Sequence, residues 1–324
     1  MNSRRVVIGS RGSELALWQA RWIQQRLQER FDDLEVTITI IKTTGDRILD
    51  APLSKIGDKG LFTREIEAAL LRGEIDLAVH SLKDLPTRLP DGLVLGAVTE
   101  REDVRDVFIP HPKNPTRTLL SQSEGAQIAT GSLRRKCQLL NLRPDVKIVD
   151  IRGNLNTRVK KLDESAWAGM LLARAGVLRL GWIERIGETL DPLQILPAVG
   201  QGALGVEIRE GDRRIEELVS VVHHPSTAQA TLAERALLRT LEGGCQIPIG
   251  AYGRVLTENG VQVLKLDAMV GSLDGTTVLR ASGQGPGADA ERIGEQVARS
   301  LLHKGADRIL EDIRRMTLPQ QAES

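Results

Sequence analysis

One pattern constrains the fold more than any other: a short apolar run, a small polar turn, and then a helix start with arginine beside it. Arg4 to Gly9 (RRVVIG) reads as a buried strand, and Ser10-Arg11-Gly12-Ser13-Glu14 turns into a helix whose apolar side carries Leu15, Leu17, Trp18, Trp22 and Ile23. Gln127 to Thr130 ends another strand, after which Gly131-Ser132-Leu133-Arg134-Arg135 opens a helix. Val146 to Ile151 ends a further one, at Arg152-Gly153-Asn154-Leu155-Asn156-Thr157-Arg158. Strands alternating with helices specify an α/β architecture. The turn between strand and helix is also where backbone N–H groups gather around an anion. Gly9 and Gly12 do not complete the G-x-G-x-x-G dinucleotide spacing.

Each of these strand ends delivers a guanidinium: Arg11, then Arg134 with Arg135, then Arg152 with Arg158. The planar arginine fork holds a carboxylate or phosphate through two hydrogen bonds, so several forks around one crevice imply a ligand with several acidic groups. For each arginine singly, a solvated surface position explains it as well. The strand Ile75 to His80 runs into Ser81-Leu82-Lys83-Asp84-Leu85-Pro86, a charged pair where open α/β sheets bind ligands, or else a solvated ion pair. His80 reads as structural. Lys42 to Arg47 follow the strand Val36 to Ile41, and residues 51–64, with Gly57 and Gly60, read as a surface connection or a mobile lid.

Asp106 to Ile109 looks like the first strand of a second lobe, Pro110 to Gly125 reads as irregular, and Leu196 to Ile208 carries the chain back. The expected domains are 1–101 with 200–220, 102–199, and 221–324. The last would hold three antiparallel strands, Ile249 to Val255, Val261 to Val270 and Thr277 to Ala281, closed by a helix from about Ala288. At its edge a helix with Ala230, Ala233, Leu237 and Leu241, capped by Ser226, stops at Gly243-Gly244 and leaves Cys245 on a loop. Cys245 is either a small buried thiol or a point of attachment or nucleophilic attack. The negative end of a helix dipole disfavours the thiolate, so nothing local activates it.

Forty-four Lys and Arg residues face 43 Asp and Glu, for a net charge of +1, and aromatic residues make up 2% of the chain. Neither figure suits a nucleic-acid or membrane partner. Two cysteines, Cys137 and Cys245, match no metal or disulfide framework. The expectation is a soluble, cytoplasmic monomer without a metal.

The chain resembles the porphobilinogen deaminase (hydroxymethylbilane synthase) family over nearly its whole length. The resemblance rests on GSRGSELALWQA at 9–20, KTTGD at 42–46, KGLFTREIE at 59–67, AVHSLKDLP at 78–86, SLRRKCQL at 132–139, IRGNLNTR at 151–158, LPAVGQGALG at 196–205 and LEGGCQIPIGAY at 241–252. It implies two doubly wound α/β lobes like a two-domain periplasmic-binding-protein architecture, plus a small C-terminal α+β domain. It also implies a dipyrromethane cofactor on a thioether at Cys245. Porphobilinogen is then the substrate, four copies being joined head to tail with loss of ammonia and released as linear hydroxymethylbilane. Asp84 would be catalytic, offsetting an azafulvene-like cation. Arg11, Ser13, Lys83, Ser132, Arg134, Arg135, Arg152, Arg158 and Arg179 would hold cofactor and substrate, with Asp46 and Gln201 at the cleft edge. Two positions depart from the family's pattern: Gly131, where a hydroxyl is usual, and Arg174, where an apolar residue is common. The alternative reading is a non-catalytic two-lobed polyanion-binding protein. A cysteine hydrolase is a third, with no histidine placed by motif opposite Cys245.

Overall fold

The computed structural model describes residues 4–47, 61–241 and 247–317. A first sheet contains β1 (Arg4–Ser10), β2 (Leu34–Ile40), β3 (Leu77–Ser81), β4 (Leu93–Val98) and β10 (Leu204–Arg209), in the order β2-β1-β3-β10-β4. β1 runs parallel to β2 and β3, while β10 is antiparallel to β3 and β4. A second sheet contains β5 (Asp106–Pro110), β6 (Gln127–Ala129), β7 (Lys147–Val149), β8 (Gly169–Ala173) and β9 (Glu188–Thr189), in the order β7-β6-β8-β5-β9. There β6 is parallel to β7 and β8, and β5 is antiparallel to β8. The two sheets therefore share one plan. In each, three parallel strands lie side by side, and the strand arriving from the other lobe, β10 or β5, is inserted antiparallel.

The apolar runs dictate this layering. Val6, Ile8, Leu77, Val79, Val206 and Ile208 are buried in the first sheet, and the helix Glu14–Arg30 sets Ala20, Ile23 and Leu27 against it at three- and four-residue steps. Ser13 caps that helix by accepting from the Ala16 N–H at 3.4 Å. In the second lobe Val107, Ile109, Met170 and Leu172 form one core face and Phe108, Ile128 and Leu171 another.

The third unit is a meander of β11 (Ile249–Glu258), β12 (Val261–Gly271) and β13 (Val278–Gly285), all antiparallel. Asn259 and Gly260 make its first turn with positive φ of 50° and 80°, the geometry a tight hairpin demands. The helices Pro225–Thr240 and Ala290–His303 cover one face through Ala233, Leu237, Ile293, Val297 and Leu301. The cap of the first is His224 and not Ser226, because Pro225 takes the first helical position and moves the cap two residues earlier.

A buried ion pair ties the three units together. Arg101, on the first crossing between lobes, meets Glu234 of the helix Pro225–Thr240 at 2.7 Å and donates to the Gln201 carbonyl on the second crossing at 2.7 Å. The Glu234 carboxylate also accepts the N–H groups of Gly200 and Gly253, each at 2.7 Å. With its partners supplied, a fully buried carboxylate is tolerable; without them it is not. Among the described residues no helix is long and apolar enough to cross a membrane.

Candidate active site

The ends of β1 and β3 in the first lobe, and of β6 and β7 in the second, open onto one cleft of about 1190 Å³. Among the described residues its walls carry ten lysine and arginine side chains and two carboxylates, Asp84 and Glu67. Such a lining selects a ligand with several negative charges.

The loop after β3 shows how the sequence aims its charges. Leu82 and Leu85 are both buried, on either side of the 3₁₀ turn Leu82–Asp84, so Lys83 and Asp84 between them are turned out into the cleft. Each buried leucine contributes ~2 kcal/mol to holding the turn down. Arg235 braces it from behind, donating to the carbonyls of Pro86 at 2.7 Å and Leu85 at 3.4 Å. Asp84 is exposed to the cleft. Lys83 is crowded by protein and keeps only part of its surface on the open space; burial pushes its pKa down to about 8, helped by Arg135 and resisted by Asp84.

Arg11 follows β1 and lies 4.2 Å from the centre of the Phe62 ring, which stacks on it. Ser13, the helix cap, lines the cleft beside it. From the second lobe come Arg135, Arg152 and Arg158, and from the helix after β8, Arg179. Arg158 donates to the Gly153 carbonyl at 2.8 Å, Arg179 to that of Gly202 at 2.6 Å, and Arg152 lies 3.7 Å from Asp150. Burial pushes Arg158 and Arg179 down to about 10, so both stay cationic at neutral pH.

Arg134 and Gln201 are placed elsewhere. Arg134 is buried, and its guanidinium donates to Asp106 at 2.7 Å and the Leu196 carbonyl at 2.6 Å, behind the wall to which Arg135 belongs. Gln201 is fully buried and not at the cleft edge; its amide donates to the Val104 carbonyl at 2.7 Å and to Asp106 at 2.8 Å. Asp106 thus organises Arg134, Arg135 and Gln201 at once. Burial alone would raise its pKa, but the two guanidinium groups outweigh it and hold the carboxyl well below the usual range. Ser132 caps the helix Leu133–Leu142, accepting from the Arg135 N–H at 3.4 Å, which fixes where Arg135 starts.

The two departures have structural consequences. A Cβ at Gly131 would lie 2.5 Å from the Ile151 carbonyl oxygen, so the strand ends β6 and β7 approach here more closely than any side chain permits. Arg174 neither faces the cleft nor stands in solvent; it pairs with Asp103 at 2.9 Å and donates to the Thr189 hydroxyl. Cys245, residues 51–60 of the expected lid and the Asp46 side chain lie outside the described residues. Leu61 to Thr63 form the turn leading into the helix Arg64–Leu71. Sequence reasoning missed Phe62, Glu67, Arg88 and Arg235 on the cleft wall. Arg235 had a signal, on the helix that leads to Cys245.

Residues 6–217 match the family described as "Porphobilinogen deaminase, dipyromethane cofactor binding domain", and residues 228–303 match "Porphobilinogen deaminase, C-terminal domain". The chain belongs to the porphobilinogen deaminase family. Relatives named porphobilinogen deaminase include those of Chloroherpeton thalassium, 53% identical over 96% of this chain and 98% of that one, and Chlorobaculum parvum, 52% identical over 96% and 99%. A solved structure, the L-cystine solute receptor of Neisseria gonorrhoeae in its unliganded open conformation, matches 76% of this chain and 96% of that one at 12% identity with a TM-score of 0.38.

The residues present fit the cofactor of this family. A dipyrromethane bears carboxylate side chains, and the wall offers guanidinium groups with donors to spare: the buried Arg135 Nε has no hydrogen-bond partner among the described residues. The other cysteine does not compete as an attachment point. Cys137 is wholly buried, and burial pushes its thiol up to about 12.

Proposed function

We propose that the chain deaminates porphobilinogen and joins four copies head to tail, releasing ammonia and linear hydroxymethylbilane, on a dipyrromethane held by a thioether at Cys245. The observation that carries this reading is Asp84, a carboxylate projected into a cleft whose other charges are almost all positive. When bound, the dipyrromethane supplies the pyrrole carbon to which the first substrate is joined. Arg11, Ser13, Lys83, Arg135, Arg152, Arg158 and Arg179 hold carboxylates of cofactor and substrate. Arg134, Ser132 and Gln201 act on that set from behind, through Asp106 and the helix start. Asp84 accepts the pyrrole N–H of the substrate and offsets the positive charge that grows as ammonia leaves, a role that needs a fixed carboxylate rather than a strong base.

The lobes in this reading are 1–101 with 200–220 and 102–199, and 221–324 carry the cofactor cysteine. The protein works as a cytoplasmic monomer on a small-molecule substrate, without nucleic acid, membrane or metal. Intact mass of the denatured protein tests the central claim. Incubation with porphobilinogen is expected to leave an excess equal to two porphobilinogens less two ammonias, absent in Cys245→Ser. An unchanged mass after incubation would instead support reversible binding of a polyanion.

A further inference from the structure

The substrate is not only an anion. Porphobilinogen also bears a primary aminomethyl group, protonated at neutral pH, and a cleft lined by ten cations repels it. Besides Asp84, only Glu67 among the described residues brings a negative charge to the lining. Glu67 sits in the first turn of the helix Arg64–Leu71, is 7% exposed, and its Oε1 is buried with no hydrogen-bond partner among the described residues. Leaving a buried carboxylate oxygen unpaired is costly, and Glu67 carries that unpaired oxygen on a residue of the cleft wall, where a donor would relieve it.

Resting on the deaminase reading, we propose that Glu67 is a second substrate-binding carboxylate, the acceptor for the protonated aminomethyl group of porphobilinogen. Its surroundings suit the task. His80 and Glu207, from β3 and β10, lie 3.0 Å apart in the core beneath it, the Thr63 hydroxyl stands one turn before it, and Arg64 is its neighbour on the helix. Burial raises the pKa of Glu67, and Glu207 adds to this, while Thr63, His80 and Arg64 oppose it. An arriving ammonium supplies the missing partner and favours the ionised carboxylate over the protonated one. The division of labour is then simple: guanidinium groups take the acetate and propionate, and Glu67 takes the nitrogen.

The test compares two pyrroles on the cofactor-loaded protein: porphobilinogen, and an analogue with the same acetate and propionate but methyl in place of aminomethyl. In Glu67→Gln, KM for porphobilinogen is expected to rise about 10- to 100-fold, the worth of one charge-assisted hydrogen bond. The inhibition constant of the methyl analogue is expected to stay within about twofold, because it never uses that bond. Both constants moving together, or neither moving, overturns the proposal. Should the variant fail to fold or load, the unaltered protein decides by the same rule: as pH falls and Glu67 is protonated, affinity for porphobilinogen should drop while affinity for the analogue does not. Failure of the unaltered protein to consume porphobilinogen would overturn the functional reading along with the subsite. Normal turnover with an unmoved KM in Glu67→Gln overturns the subsite alone.

Discussion

Laid over one another by strand order, β1, β2 and β3 of the first lobe correspond to β6, β7 and β8 of the second. Their ends deliver different charges. The first lobe presents Arg11 after β1, Lys42 after β2, and Lys83 with Asp84 after β3, with Glu67 on the helix below. The second presents Arg135 after β6, Arg152 and Arg158 after β7, and Arg179 after β8, and no carboxylate among the described residues. The turn after β3 holds an acid where that after β8 runs straight into the helix Arg174–Arg179. One construction thus serves two ends: the second lobe can only grip anions, whereas the first also carries groups that answer positive charge.

The comparison breaks most sharply at Asp84. If the first lobe owns the chemistry, Asp84→Ala should lower kcat by about 10²- to 10³-fold, the usual cost of removing a preorganised charge from a developing one. The fold and the cofactor mass should persist, because the turn is held by Leu82, Leu85 and Arg235 rather than by the carboxylate. Near-normal turnover would return Asp84 to the role of a solvated ion-pair partner.

The second lobe should break by stability instead. Asp106 is fully buried with Arg134 at 2.7 Å and Arg135 at 2.8 Å, so Asp106→Ala leaves two buried guanidinium groups uncompensated. A loss of about 3–5 kcal/mol is expected, read from the urea midpoint. A midpoint unchanged from the parent would mean that the cleft wall rearranges freely, and that Arg135 is not pre-aimed.

Much of this organisation was legible because it is local. Strand, small turn and capped helix are written contiguously at Ser10–Glu14 and again at Gly131–Arg135, so the positions of Arg11 and Arg135 followed from pattern alone. The resemblance then supplied the chemistry. What stayed hidden depends on distant partners. Arg134 and Arg135 are adjacent and look alike, yet one lies behind the wall and the other on it, decided by which side of the helix faces Asp106 and Leu196. The resemblance put Gln201 at the cleft edge, but its amide turns inward to Val104 and Asp106, and the glycines beside it serve the crossing, where the chain packs against Glu102 and Leu82. Arg174 could not be read at all, since its partner Asp103 sits on the other crossing. β4, Leu93–Val98, carries Gly96 where the Ile208 side chain needs the space, a contact between strands far apart in the chain.

The smallest effect concerns the cation beside the acid. With its pKa pushed down to about 8, Lys83 is charged below that value and neutral above it, whereas an ordinary lysine stays charged until about 10.4. The arginines of the opposite lobe do not titrate in this interval; even Arg158 and Arg179 lie near 10. Affinity for a carboxylate ligand should therefore strengthen as pH falls through about 8 and weaken as it rises, through the first lobe alone. The clean readout is binding of the methyl-substituted pyrrole between pH 7 and 9, since that probe has no amine of its own to titrate. A several-fold weakening is expected across the interval in the parent and a flat line in Lys83→Met. A slope that survives the substitution would mean that another group gives the cleft its pH dependence, and the contrast between a tunable first lobe and a fixed second lobe would not hold.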